Sequence, residues 1–166
     1  MTNPERLAKH VYGGMAALTI DPSLNRHKTF HTVTLDLAPR RGGDTNWQQK
    51  ISIQPTYQEL PLLVALFLGY HSHLQIKRDE KWMEVIDQDK SVFIKGGAGN
   101  SVFALPVMPG DRVWLSAMLL QAYAKNFPDM APALLIASLQ TARTVGRSTS
   151  QNQDGSGGVI NPQYEA

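Results

Sequence analysis

Residues 32–38, Thr-Val-Thr-Leu-Asp-Leu-Ala, alternate between polar and apolar side chains. The aliphatic side chains share one face and the polar ones share the other, which is the pattern of a strand in a sheet with one buried face. Short segments of similar character lie on either side, at residues 15–20 and 47–53. We predict three strands here, the first ending at Pro22, with a turn at residues 39–46.

A helix is predicted after these strands. Thr56 and Glu59 have the spacing of a capping box, in which each side chain bonds the backbone amide of the other residue. The apolar run at residues 60–68 follows, so this helix is expected to be buried on most sides. The second half repeats the scheme with four short strands and two more helices. These strands are predicted at residues 73–78, 82–87, 91–95 and 100–107, and the helices at residues 108–126 and 131–145.

Strands are grouped between helices instead of alternating with them one by one. This order favours an α+β fold with antiparallel sheets of about four strands, each half followed by a helix, plus a C-terminal helix. The length of 166 residues suits one domain, which we place at residues 11–145. Residues 1–10 are interpreted as an N-terminal arm. Residues 146–166, rich in Ser, Gln, Asn and Gly, are interpreted as a flexible tail.

The composition excludes several classes of protein. The chain has no cysteine, so a disulfide scaffold, a thiol nucleophile and a cysteine-ligated metal are ruled out. The net charge of +2 is too small to identify a nucleic-acid-binding protein by composition. The longest apolar run, residues 60–68, is about half the length needed to cross a bilayer. With no recognisable targeting signal, the expected location is the cytoplasm, away from membranes.

Strand parity predicts which side chains lie on the faces turned away from the helices. In the segment 82–87, Met83 and Val85 are the better core pair, so Trp82 is expected to point outward. Lysines can neutralise phosphates and aromatic rings can stack on bases, which is typical of surfaces that bind single-stranded nucleic acid. An ordinary solvated sheet face with scattered lysines is the alternative. The outward side chains are Lys50, Ser52, Gln75, Lys77, Trp82, Phe93 and Lys95.

Other candidates lie outside this regular pattern. Arg40 and Arg41 fall in a loop, where guanidinium groups can grip phosphate or remain solvated. Tyr12 precedes the first predicted strand and can either stack on a base or support the structure. Trp47 shares the parity of the inward residues, but a bulge after the loop would turn it outward.

No catalytic constellation is found. His71 and His73 have the spacing of two residues on one strand face, but no further ligand follows at a distance typical of a metal site. The glycine-rich segment 96–100 lacks the following Lys-Ser/Thr and helix of a phosphate-binding loop, and it is interpreted as a hairpin turn. We therefore expect a protein that is not an enzyme and has no metal or cofactor.

The order of these motifs resembles the Whirly family. Residues 11–22, Val-Tyr-Gly-Gly-Met-Ala-Ala-Leu-Thr-Ile-Asp-Pro, are similar to the family's N-terminal signature, in which the first strand carries Lys-Gly-Lys-Ala-Ala-Leu. The similarity continues through residues 104–107, Ala-Leu-Pro-Val, into the long helix, and it covers roughly residues 11–127. Gly13 and Met15 stand where the family has its two motif lysines.

The resemblance implies a fold and a function. Whirly proteins have two antiparallel sheets packed roughly at right angles, form tetramers through their helices, and bind single-stranded DNA along the sheets with little sequence preference. A homotetramer is implied here, with Met15 among the DNA contacts and Trp114, Met118 and Tyr123 at the subunit interface. A compact bacterial, phage or plasmid protein for DNA replication, recombination or repair is the simplest interpretation. Alternatives are a structural oligomer without nucleic acid, and an RNA-binding protein or transcription cofactor.

Overall fold

A computed structural model of the chain describes residues 9–143. The predicted tail at 146–166 and most of the predicted arm therefore lie outside the described residues. The first half contains β1 (Lys9–Tyr12), β2 (Ala16–Leu24), β3 (His31–Arg41), β4 (Asp44–Thr45), a 3-10 turn (Trp47–Gln49), β5 (Ile51–Ile53) and α1 (Glu59–Phe67). The second half contains β6 (His73–Lys77), β7 (Lys81–Gln88), β8 (Ser91–Ala98), β9 (Ser101–Val107), α2 (Pro109–Ala124) and α3 (Pro132–Gln140).

The strands form two sheets in which every pairing is antiparallel. In the first sheet, β1, β2 and β3 are consecutive neighbours, and both β5 and the short β4 pair with β3. The second sheet has the order β6, β7, β8, β9. The predicted α+β class with two antiparallel sheets is confirmed.

The two sheets approach each other closely at glycines. A Cβ atom added to Gly96 in β8 would lie 2.9 Å from Leu37 Cδ2 in β3, and one added to Gly13 would lie 2.8 Å from Leu105 Cβ in β9. Both distances are too short for ordinary packing: a side chain at Gly13 would require the backbone of β9 to move, and one at Gly96 would require Leu37 to repack. Leu37 and Leu105 are themselves fully buried, which places these contacts in the shared core.

The predicted capping box at the start of α1 is confirmed. The Thr56 amide donates to Glu59 Oε1 at 2.9 Å, and the Glu59 amide donates to Thr56 Oγ1 at 3.3 Å. Arg78, directly after β6, donates to both carboxylate oxygens of Glu59, at 2.7 and 3.2 Å. Burial alone would raise the pKa of Glu59, but the hydrogen bonds from Arg78 and Thr56 outweigh it and lower the pKa. This carboxylate therefore joins the second sheet to the helix that follows the first.

The first sheet differs from the prediction at its N-terminal strands. Residues 9–12 form β1, so Tyr12 lies within a strand instead of before one, and the strand includes two residues assigned to the arm. The expected strand end at Pro22 is wrong, because β2 continues to Leu24. Proline is tolerated there since β1 begins opposite Ile20 among the described residues, which leaves Pro22 paired only with β3.

The predicted strand at residues 47–53 is wrong in its first half. Asn46 accepts a hydrogen bond from the Gln48 amide at 3.2 Å, and a 3-10 turn follows. Asparagine side chains compete with strand hydrogen bonding in this way. Only Ile51–Ile53 pairs with β3, so the alternation that placed Trp47 with the core does not extend back to it.

One buried arginine connects the helices to the second sheet. Arg112, in the first turn of α2, is 8% exposed. Its guanidinium donates five hydrogen bonds of 2.8 to 3.2 Å to the end of α1 and to the β7–β8 turn. Two of the acceptors are carbonyls in the last turn of α1, where a cation is favoured by the helix dipole. The five acceptors are the carbonyls of Leu66, Phe67, Asp89 and Ser91 and the carboxylate of Asp87.

Replacing Arg112 with alanine is expected to lower the free energy of unfolding by about 3–5 kcal/mol, because it removes the cation of a largely buried ion pair and leaves the charge of Asp87 uncompensated. Arg112→Lys should recover only part of this loss, since an ammonium group cannot reach all five acceptors. Urea unfolding followed by circular dichroism measures both. The exposed Arg41→Ala is the control, expected within about 0.5 kcal/mol of wild type. A loss below about 1 kcal/mol for Arg112→Ala would contradict this role.

Candidate nucleic-acid interface

The second sheet presents one face to the core and one to solvent. The core face includes Leu74, Ile76, Met83 and Val85, all buried, which confirms the predicted orientation of β6 and β7. On the other face, the strand register groups the side chains into three rows that cross all four strands. The rows are, first, His73, Ile86, Phe93 and Pro106; second, Gln75, Glu84, Lys95 and Ala104; and third, Lys77, Trp82, Gly97 and Val102.

The third row holds an aromatic side chain in a fixed position. A Cβ atom at Gly97 would lie 2.8 Å from Trp82 Nε1 and 2.9 Å from Trp82 Cε2. The indole of Trp82 therefore lies directly against the backbone of β8, where an aromatic ring covers a strand glycine. It is half-buried instead of freely exposed as predicted. Lys77, next to it in the row, is exposed and forms no salt bridge with any residue in 9–143.

The second row contains a carboxylate at its centre. Glu84 accepts a hydrogen bond from His73 Nε2 at 2.8 Å and pairs with Lys95 Nζ at 3.3 Å. The hydrogen bond from His73 is the main reason that the pKa of Glu84 is lowered, and Lys95 adds to it against a smaller effect of burial. Sequence parity placed Glu84 on this face, but its two partners depend on the register of three strands. Lys95, predicted as a phosphate contact, is thus already paired.

The outer face of the first sheet has a similar arrangement. Asp36 in β3 lies directly opposite Ser52 in β5. It accepts a hydrogen bond from the Ser52 hydroxyl and another from Lys50 Nζ at 3.1 Å. The predicted outward direction of Lys50 and Ser52 is observed, and Lys50, like Lys95, is paired with a carboxylate.

Aromatic side chains gather beside this pair. The guanidinium of Arg40 lies 4.7 Å from the ring centroid of Tyr12. The His10 ring is stacked on Tyr12 at 6.2 Å and meets Trp47 edge-on at 6.0 Å. Because the 3-10 turn interrupts the strand, Trp47 joins this group instead of the core. Three predicted residues, Tyr12, Arg40 and Trp47, therefore belong to one cluster, and His10, which sequence reasoning missed, connects two of them.

A groove of about 710 Å³ joins the loops of the two sheets. Arg40 and Arg41 line it from the end of β3, so their predicted place in a loop is wrong: the strand continues to Arg41 and pairs with β4. Met15 lines the groove from the β1–β2 turn. The far wall is formed by residues 100–103, including the exposed Val102 of the third row. On the other side of the β8–β9 turn, a hollow of about 390 Å³ is lined by Lys77, Trp82 and their neighbours. Three predicted residues thus line each depression: Met15, Arg40 and Arg41 line the groove, and Gln75, Lys77 and Trp82 line the hollow.

The three residues predicted at a subunit interface differ in exposure. Trp114 is 57% exposed, and the adjacent Val113 is exposed as well. Met118 is 6% exposed and packs in the core of the chain itself. Tyr123 is half-buried, with its ring 5.2 Å from that of Phe127, and burial, together with nearby Tyr57, raises its pKa. Of the three, Trp114 presents a large apolar surface to solvent.

Two other features bear on the class of protein. Within residues 9–143, no three His, Asp or Glu side chains are grouped so that they could hold a metal ion. Burial lowers the pKa of His71, while His73 is engaged with Glu84. No helix in this part of the chain is both long and apolar enough to cross a membrane.

The fold is that of Whirly proteins, as three solved structures show. WHY1 from Arabidopsis thaliana is 18% identical in sequence and superposes with a TM-score of 0.59, covering 73% of this chain and 90% of that one. WHY3 from Arabidopsis thaliana gives 18% identity and a TM-score of 0.58, with 82% and 95% covered. The plant transcriptional regulator PBF-2 is 17% identical in sequence and superposes with a TM-score of 0.58, covering 76% of this chain and 85% of that one. No sequence model of a protein family and no curated protein sequence matches the chain.

The glycine at the first motif position has a structural reason in this chain. The Gly13 amide donates to the Ala16 carbonyl at 2.8 Å and closes the β1–β2 turn. A Cβ there would meet Leu105, so a lysine like that of the Whirly motif would require the second sheet to move. Met15, at the second motif position, is exposed and free of this restriction.

Gly97→Ala is expected to displace the Trp82 indole and destabilise the fold by about 1–3 kcal/mol, because the new methyl group meets the indole and the Ser101 carbonyl at 2.8 and 2.9 Å. Thermal unfolding measures the loss of stability, and near-ultraviolet circular dichroism reports the changed Trp82 environment. Gly110→Ala is the control, since a Cβ there meets nothing within 4 Å. Identical spectra and stability for Gly97→Ala and wild type would refute this contact.

Proposed function

We propose that the protein binds single-stranded DNA with little sequence preference, along the outer faces of both sheets. The row formed by Lys77, Trp82 and Gly97 carries this proposal. It places a cation beside an aromatic ring that the backbone holds in place, which is the combination that binds a phosphate and a neighbouring unpaired base. The Whirly fold supports the same function. We propose that it binds the single strands that are exposed during DNA replication, recombination or repair.

The same chemistry recurs on the first sheet. Tyr12 is exposed and its ring is backed by the Arg40 guanidinium, so it can stack on a base while the arginine attracts phosphate. The groove between the sheets, with Arg41 at its edge, connects this cluster to the Trp82 row. A strand following the groove would contact both sheets. Stacking of this kind accepts every base, which explains the proposed lack of sequence preference.

We further propose that four copies assemble through their helices and leave the sheets free. Val113 and Trp114 on α2 and Leu134 on α3 are large apolar side chains exposed in the single chain. Exposed apolar groups on helices are typical of surfaces that subunits cover. The candidate DNA contacts lie on the strands and their loops, so such assembly would not block them.

Fluorescence anisotropy with a labelled oligo-dT and with a duplex of equal length tests the proposed function. The single strand should bind at least about tenfold more tightly, which corresponds to one stacked base that a duplex cannot offer. A parallel oligo-rU titration separates DNA from RNA preference. Failure of the single strand to bind at low salt, or tighter binding of the duplex, would contradict the proposal and favour a structural oligomer.

Lysines that are paired with a carboxylate and lysines that form no salt bridge within residues 9–143 are expected to contribute unequally to DNA binding. Lys77→Ala should weaken binding and reduce the salt slope by about 0.7, the value for one lost phosphate contact on a single strand. Lys50→Ala should cost less, because Lys50 is paired with Asp36. Lys125→Ala, which removes an exposed lysine at the end of α2 outside the candidate DNA contacts, is the control. A larger effect for Lys50 than for Lys77 would show that the ion pair does not restrain Lys50.

Trp82→Ala should weaken binding to oligo-dT and oligo-dA alike by about 1–3 kcal/mol, the range for one stacked base. Trp82→Phe keeps an aromatic ring and should retain most of the affinity. Both variants are to be measured by anisotropy after circular dichroism has shown that they are folded. An unaltered affinity for folded Trp82→Ala would remove this residue from the DNA path.

A further inference from the structure

We infer that Glu84 and Asp36 limit the affinity of the sheets for DNA by occupying, in the free protein, the lysines that would otherwise bind phosphate. This inference rests on the proposed function and assigns to these two residues the role of internal competitors for the DNA backbone. Neither residue is a candidate binding residue in the sequence, where strand alternation predicts only that both side chains point outward.

The position of Glu84 is the first argument. It is at the centre of the second sheet's outer face, between the rows that carry Phe93 and Trp82. Its carboxylate holds Lys95 at 3.3 Å and His73 at 2.8 Å, so a phosphate approaching Lys95 must displace a negative charge already in contact with it. The other charged residue in these rows is Lys77, which forms no salt bridge within residues 9–143.

The first sheet repeats the arrangement with different residues. Asp36 holds Lys50 at 3.1 Å and also accepts from Ser52. Each sheet thus places one carboxylate against one lysine on the face proposed to bind DNA, although the residues that do so differ between the sheets. In each case the two partners come from adjacent chain segments: Asp36 in β3 and Lys50 directly before β5, and Glu84 in β7 and Lys95 in β8.

A carboxylate that touches a lysine reduces what that lysine can contribute to binding. Ion pairs at the protein surface are weak, so DNA can displace them. The negative charge nevertheless remains on the face and repels the phosphate after displacement. Binding therefore becomes weaker and more readily reversed than the number of lysines suggests, and it relies more on stacking.

Glu84→Gln tests this inference, because glutamine keeps the hydrogen-bonding shape and removes the charge. Freeing Lys95 should raise the salt slope for oligo-dT by about 0.7, which corresponds to about fivefold tighter binding at 0.1 M salt. Asp36→Asn should act in the same direction through Lys50. Asp129→Asn removes an exposed acid in the α2–α3 loop, outside the strands, and controls for net charge; its effect should stay below about twofold, because salt screens distant charges.

A double-mutant cycle identifies the lysine involved. Lys95→Ala should cost about fivefold more in the Glu84→Gln background than in the wild-type background, because Lys95 is fully available only when Glu84 is neutral. This coupling is insensitive to any general change in charge. Circular dichroism of each variant checks that the fold is intact.

The outcomes separate this inference from the proposed function. Tighter binding by Glu84→Gln, with the coupling to Lys95, supports it. If wild type binds oligo-dT but Glu84→Gln binds equally or less tightly, or if Asp129→Asn gains as much, the inference is overturned while the proposed function stands. If neither wild type nor the variants bind single strands, the proposed function itself fails, and this inference fails with it.

Discussion

The guanidinium of Arg112 occupies the point where α1, α2 and the β7–β8 turn meet, and the relation of the second sheet to the helices depends on it. Its hydrogen bonds satisfy two carbonyls that end α1 and the carboxylate of Asp87 at the end of β7. A buried charge is tolerated only when it is fully bonded, and these partners come from segments far apart in sequence. The arginine therefore favours one arrangement of the helices on the sheet, with the outer face left uncovered.

Small residues determine the shape of the uncovered sheet faces as much as large residues do. Gly96 and Gly13 let the two sheets touch, and Gly97 lets the Trp82 indole lie against β8. Without these glycines, Trp82 would stand away from the sheet and the groove between the sheets would change shape. The proposed DNA path thus depends on glycines that let other groups come close to the backbone. The charged side chains lie on the surface that this close packing forms.

Much of this arrangement can be predicted from the sequence, because strand alternation is a local property. The direction of Lys77 and Trp82 follows from the burial of their aliphatic neighbours, and the capping box of α1 follows from two residues. What cannot be predicted depends on register and on competition between local structures. The pairing of Glu84 with both His73 and Lys95 requires three strands in register, and the turn at residues 47–49 forms because Asn46 caps it.

The central claim is that a base of the bound strand stacks on Trp82. The chain has three tryptophans, so a variant with Trp47→Phe and Trp114→Phe leaves Trp82 as the sole source of indole emission. Titration of this variant with oligo-dT should change that emission and saturate together with the anisotropy of the labelled oligonucleotide. Binding that leaves the Trp82 emission unchanged would contradict the account and move the DNA path off this sheet.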